Sequence, residues 1–162
     1  RLSGNRKYLV SGSADCSLKL FDFQNRKLMH TFHNAHKGNT YESLVAHNVF
    51  LTDAVLTVAV SYEGEVVASG SRDKSLKVYS SSSYKALIIK PNYHIGNGND
   101  QNTSTANLLG PISTLAFTKN GRYLVSGSSD QTIKILDIEN PEAERNFGVV
   151  HDGCLVLSFL SN

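Results

Sequence analysis

A chain of 162 residues, 40% of them hydrophobic, is long enough to bury a core and by length is one domain. Sixteen Lys and Arg against fourteen Asp and Glu leave a net charge of +2, too little for charge-driven binding of nucleic acid or an acidic membrane to be the default. Apolar runs such as Ala86 to Ile89 fall far short of a membrane span, and Arg1-Leu2-Ser3-Gly4 does not read as a signal peptide.

In chain order, the first predicted hairpin joins Tyr8-Leu9-Val10-Ser11-Gly12-Ser13-Ala14-Asp15 to Ser17-Leu18-Lys19-Leu20-Phe21, and a weaker strand follows at Lys27 to Phe32. Next come a strand at Val55 to Ser61, a second copy of the hairpin in Val66 to Asp73 and Ser75 to Tyr79, and a weaker strand at Lys85 to Lys90. The pattern returns as Ile112 to Thr118, Tyr123 to Asp130, Thr132 to Leu136 and Arg145 to Val150, with a last strand at Leu155 to Phe159. This is an internal repeat, the signal that outranks the others. The strands are apolar on both faces, as suits sheets sandwiched between sheets, and Lys19, Lys77 and Lys134 can lay their stems over a neighbour.

Four short antiparallel strands per unit make the blade of a propeller. The predicted fold is therefore all-β: a β-propeller segment of about three four-stranded antiparallel blades in an incomplete ring. Blade one, 1–35, lacks its first strand; blade two is 51–92, blade three 108–150, and 151–162 opens a fourth. The turn aspartates Asp15, Asp73 and Asp130 are 58 and 57 residues apart, whereas Phe117 and Phe159, equivalent points of two first strands, are 42 apart. The longer spacings place inserts at 37–50 and 95–107.

The segment after Asn5 aligns with that after Asn120, and Asn120 with Asn162, so the chain starts and stops at one point of the repeat. Either a longer gene product supplies the remaining blades, or two chains close one six-bladed ring by exchanging Leu155 to Phe159. Open blade edges carry an expectation of self-association.

The turn Ser-Gly-Ser-Xaa-Asp, followed by a hydroxyl residue and an apolar-Lys-apolar-aromatic-Asp strand, resembles the tryptophan-aspartate (WD) repeat family, with Ser11 to Asp22 the closest match. The resemblance covers nearly the whole chain. It implies a buried, structural hydrogen-bonded set in each blade: a His before the first strand, a Ser or Thr on the second, the turn Asp, and a Trp on the third. The matching serines are Ser11, Ser69 and Ser126, and the aspartates Asp15, Asp73 and Asp130. His36, His94 and His151 each stand 21 residues after an aspartate and so serve the second, third and fourth blades. Counting back from the first strands instead reaches Leu51 and Leu108, and both counts hold only if each insert follows its histidine. The chain has no tryptophan. Phe21, Tyr79 and Leu136 stand in its place, and of these only Tyr79 offers a hydroxyl.

Other chemistry finds little footing. The serines are not in a Gly-Xaa-Ser-Xaa-Gly elbow, and three copies of one arrangement suit architecture rather than an active site. His33 and His36 have zinc-like spacing without a third ligand, and no phosphate-binding glycine loop occurs. No catalytic residue, metal or cofactor is assigned. Cys16 and Cys154 are too few and too distant for a disulfide framework, which favours a reducing compartment, the cytoplasm or alternatively the nucleus.

In the resembled family both inserts and the residues before the turn aspartates share one face. Arg72, Tyr41 and Phe50 are the partner-binding candidates there, since Tyr and Arg anchor interfaces. Leu44, Val45 and Phe50 could equally tuck under their own loop. The insert 95–107, rich in Gly, Asn, Ser and Thr, is expected to be disordered. The expected function is a scaffold or adaptor presenting a propeller face to other proteins or peptides. The alternative is a ligand-binding or enzymatic propeller with its site at the central channel. Neither a membrane nor nucleic acid is the expected partner.

Overall fold

A computed structural model of the chain describes residues 1–36, 54–94 and 110–149. The expected strand Leu155 to Phe159, His151, Leu51 and Leu108, and the inserts 37–50 and 95–107 lie outside the described residues.

Eleven strands are described: β1 (Tyr8–Gly12), β2 (Leu18–Asp22), β3 (Lys27–Phe32), β4 (Val55–Val60), β5 (Val66–Ser71), β6 (Leu76–Ser80), β7 (Ala86–Lys90), β8 (Ile112–Phe117), β9 (Tyr123–Ser128), β10 (Thr132–Asp137) and β11 (Arg145–Val149). They form three antiparallel sheets, ordered β1-β2-β3, β4-β5-β6-β7 and β8-β9-β10-β11. Each sheet is a meander of sequential hairpins with one repeated register: Ser11 lies opposite Lys19, Ser69 opposite Lys77, and Ser126 opposite Lys134.

Strands β4 and β8 stop one residue earlier than the apolar pattern suggests. Ser61 and Thr118 leave the strand because their hydroxyls turn back to accept the backbone N–H of Val66 and Tyr123, at 3.1 Å in both cases. Ser3 does the same for Tyr8 at 2.9 Å. These side chains compete with the ladder for the backbone and fix the turn instead.

The apolar residues are buried between sheets rather than within any one of them. Val10, Leu18, Leu20 and Phe32 of the first sheet meet Val67 and Tyr79 of the second. Ala68, Leu76, Val78 and Ile88, from the opposite face of the second sheet, meet Ile112, Leu115, Leu124 and Leu136 of the third. At roughly 1.5–3 kcal/mol for each fully buried large aliphatic, this stacking is the main stabilising contribution. The sheets can approach because of the Ser-Gly-Ser glycines at the ends of β1 and β5. A Cβ on Gly12 would stand 2.5 Å from Val55 Cγ1, and one on Gly70 would stand 2.5 Å from Ile112 Cγ2.

Candidate functional site

The chemistry-bearing residues gather where a β5–β6 or β9–β10 turn meets the segment arriving from the preceding sheet. His33-Asn34-Ala35-His36 and Pro91-Asn92-Tyr93-His94 take one shape, with Asn34 at φ 51° and Asn92 at φ 50°. That is the left-handed region, which Asn enters more readily than most residues. The reversal sends each histidine back into the next sheet.

In the second sheet the His36 ring is fully buried. Its Nε2 lies 2.7 Å from Ser69 Oγ, and its Nδ1 lies 2.8 Å from Ser75 Oγ and 3.3 Å from Asp73 Oδ2. A carboxylate only accepts, so Nδ1 carries the hydrogen on that side and Nε2 takes the hydroxyl hydrogen of Ser69. Asp73 Oδ1 accepts the Ser75 hydroxyl at 2.6 Å and its backbone N–H at 2.7 Å.

The third sheet repeats the set. His94 Nε2 is 2.8 Å from Ser126 Oγ, while Nδ1 is 3.1 Å from Asp130 Oδ2 and 2.9 Å from Thr132 Oγ1. Asp130 Oδ1 accepts from the Thr132 hydroxyl at 2.7 Å and its N–H at 2.9 Å. Burial pushes both carboxyls up, but hydrogen bonds from the histidine, from the Ser75 or Thr132 hydroxyl and from the backbone N–H of the same residue outweigh it and leave Asp73 and Asp130 below the ordinary aspartate value.

Ser75 and Thr132 were not singled out from the sequence as members of the set. Their signal is nonetheless present: Asp15-Cys16-Ser17, Asp73-Lys74-Ser75 and Asp130-Gln131-Thr132 recur, with φ of 67°, 68° and 70° at the middle residue. The left-handed middle residue folds the hydroxyl residue back onto the aspartate.

The first sheet differs. Ser11 and Asp15 are exposed, Asp15 is held by the Ser17 N–H at 2.9 Å and by the hydroxyls of Ser17 and Ser13, and no histidine is described beside them. The expected set is not assembled there among the described residues; in the two complete sets the histidine precedes the serine it meets by 33 and 32 residues. Tyr79 departs as well. Its hydroxyl donates to the Ala35 carbonyl at 3.2 Å and not to the aspartate. Burial, then the Asp73 charge, pushes this phenol up to about 12.

The two complete sets fill the tryptophan position differently. Sheet two pairs Tyr79 on its third strand with Ala35 in the incoming segment; sheet three pairs Leu136 with Tyr93. The aromatic ring has moved from the strand to the segment. The Tyr93 hydroxyl is buried without a hydrogen-bond partner among the described residues. Burial first, then the Glu144 charge, raises this phenol well above its usual value.

Of the partner-binding candidates, Arg72 is exposed at the tip of the β5–β6 turn, with its backbone N–H donating to the Ala54 carbonyl at 3.1 Å. Tyr41 and Phe50 lie outside the described residues. His33 is exposed while His36 is buried, so the two face different surroundings.

Stacked antiparallel blades, two of them with a buried His-Ser-Asp brace at the turn, define a β-propeller segment, here without a closed ring. The family described as WD domain, G-beta repeat matches residues 1–22, 38–80 and 102–137, more than half of the sequence, and the chain belongs to that family. COMPASS component SWD3 of Saccharomyces cerevisiae is 28% identical over 165 residues, covering 94% of this chain and 44% of the relative. The Nuclear distribution protein PAC1 of Scheffersomyces stipitis is 29% identical over 93 residues, covering 56% of this chain and 17% of its own length. The solved WD40 repeats of RRP9 superpose with a TM-score of 0.67 at 19% identity, over 95% of this chain and 38% of that one. The chain thus spans less than half the length of the relatives it matches. The cytoplasmic location expected from the cysteines receives no support from these relatives.

Proposed function

We propose that the chain is part of a WD-repeat scaffold whose rim of turns presents a rigid face to other proteins. The observation that carries this reading is the burial of the groups an enzyme would have to use: His36, His94, Ser69 and Ser126 are all 0% exposed and saturated by partners within their own set. A nucleophile or base must be reached by substrate; these hold turns in place. The description of one relative as a COMPASS component supports the same reading. In it, 51–92 and 108–150 are whole blades, 1–35 is a blade lacking its first strand, and 151–162 begins another.

The recognition face is the one carrying Arg72, with Tyr41 and Phe50 from the insert as its other anchors. Affinity capture with the full-length protein tests this. Changing Arg72, Tyr41 and Phe50 to Ala should remove specific partners while leaving the melting temperature in place. An unchanged set of captured proteins would overturn the assignment.

A further inference from the structure

The internal repeat allows one surface to be read against its own copy. In the third sheet, Lys134 projects from the face that meets the second sheet, and its side chain is only 13% exposed. It is satisfied from within the chain: Nζ lies 4.9 Å from the Tyr93 ring centroid and 3.5 Å from Glu144 Oε1. Lys77 holds the equivalent place in the second sheet, opposite Ser69 and Ile89. There, Ala35 replaces Tyr93, and Ala86 with the bulged Leu87 replaces Glu144. Half-buried Lys77 has no carboxylate or ring partner among the described residues. On the same face, β7 exposes Leu87 by 53% and Ile89 by 57%, beside the wedge between the first and second blades.

From this vacancy we infer that the wedge between blades one and two docks an extended peptide segment of a partner protein, whose carboxylate pairs with Lys77 as Glu144 pairs with Lys134 and whose aliphatic side chains cover Leu87 and Ile89. Three features suit such an occupant. β7 is the outermost strand of its sheet, so its free backbone groups can take an added strand. Two exposed aliphatics at i and i+2 match the side-chain period of an extended peptide. The cleft of about 550 Å³ at the lower end of the wedge, lined by Lys7 and Leu87, also carries Glu63 and Glu65, which repel a second carboxylate and set which end of the peptide lies at Lys77. The inference deepens the protein-interaction reading but uses another surface, so loss at Arg72 and loss at Lys77 are scored separately.

The test uses the full-length protein and a labelled synthetic peptide, Leu-Thr-Ile-Thr-Glu capped at both ends, which puts both aliphatics and the carboxylate on one face when extended, against the same peptide with Gln in place of Glu. Fluorescence anisotropy should show the Glu peptide binding at least about tenfold more tightly than the Gln peptide. K77M should erase that difference, and L87T with I89T should weaken both peptides. K134M, which removes the internally paired lysine, should leave the difference intact. Equal binding of the two peptides, or an undiminished preference in K77M, overturns the inference. So does self-association that I89T abolishes, since the wedge would then belong to a second copy of the chain.

Discussion

At the residue scale the consequential groups are Asp73 and Asp130. Each carboxylate replaces lost water with a histidine, a hydroxyl and a backbone N–H, and removing it strands all three in a buried place. Changing either to Ala should destabilise the protein by about 2–4 kcal/mol. The pH dependence has a definite sign. Both carboxyls titrate below their ordinary value when folded, so the stability they contribute is fully present above the unfolded value of about 3.9. It is lost as pH falls through the lower folded values. Melting temperatures measured across this acid range should fall steeply for the wild type and less steeply for Asp130→Asn. An acid slope identical in the two proteins would mean that this carboxylate does not carry the linkage.

At the level of elements, the Ser-Gly-Ser turn sets how closely blades stack. A Cβ on Gly70 would meet Ile112 Cγ2 at 2.5 Å and Thr57 Cγ2 at 2.9 Å, and both neighbours are β-branched and stiff about χ1. Gly70→Ala should therefore cost about 1–3 kcal/mol by overpacking. Adding Ile112→Ala should recover part of that loss, because it removes the nearest atom, Cγ2, while the Cβ of residue 112 at 2.8 Å and Thr57 Cγ2 at 2.9 Å remain. Denaturant midpoints for the two single variants and the double variant give the coupling, and strict additivity would place the strain elsewhere. The same elements show what was legible in the sequence. Ser69, Asp73 and His36 could be read because identical residue types recur at matching offsets in the third blade. Ser75 and Thr132 are legible as the repeat's hydroxyl residue, but not as members of the brace, because their hydroxyls reach the aspartate only through the left-handed residue between them, which spacing does not show. The exchange of Tyr79 and Ala35 for Leu136 and Tyr93 was not legible. The compensating residue comes from the neighbouring sheet, 44 residues from Tyr79, and no local period links the two. Ser11 misled for the converse reason: its motif is intact, but a brace needs a histidine from outside the motif.

For the whole molecule, the placement of the apolar clusters decides how stability is shared. One cluster joins the first sheet to the second and another joins the second to the third. Stability should then be a sum of nearest-neighbour contacts, as in other stacked repeats. Leu20 is fully buried and belongs to the first cluster alone. Leu20→Ala should cost about 2–5 kcal/mol there. Hydrogen exchange of the intact protein should show where that loss goes. Amides of β1–β3 should lose the most protection, those of β4–β7 less, and those of β8–β11 least, because the third sheet is held through Ile112, Leu115, Leu124 and Leu136. Loss confined to β1–β3 would mean that each sheet holds a core of its own. Equal loss in all three sheets would mean that the blades open as one unit, and Lys77 and Arg72 would then stand on a surface whose rigidity depends on the whole stack.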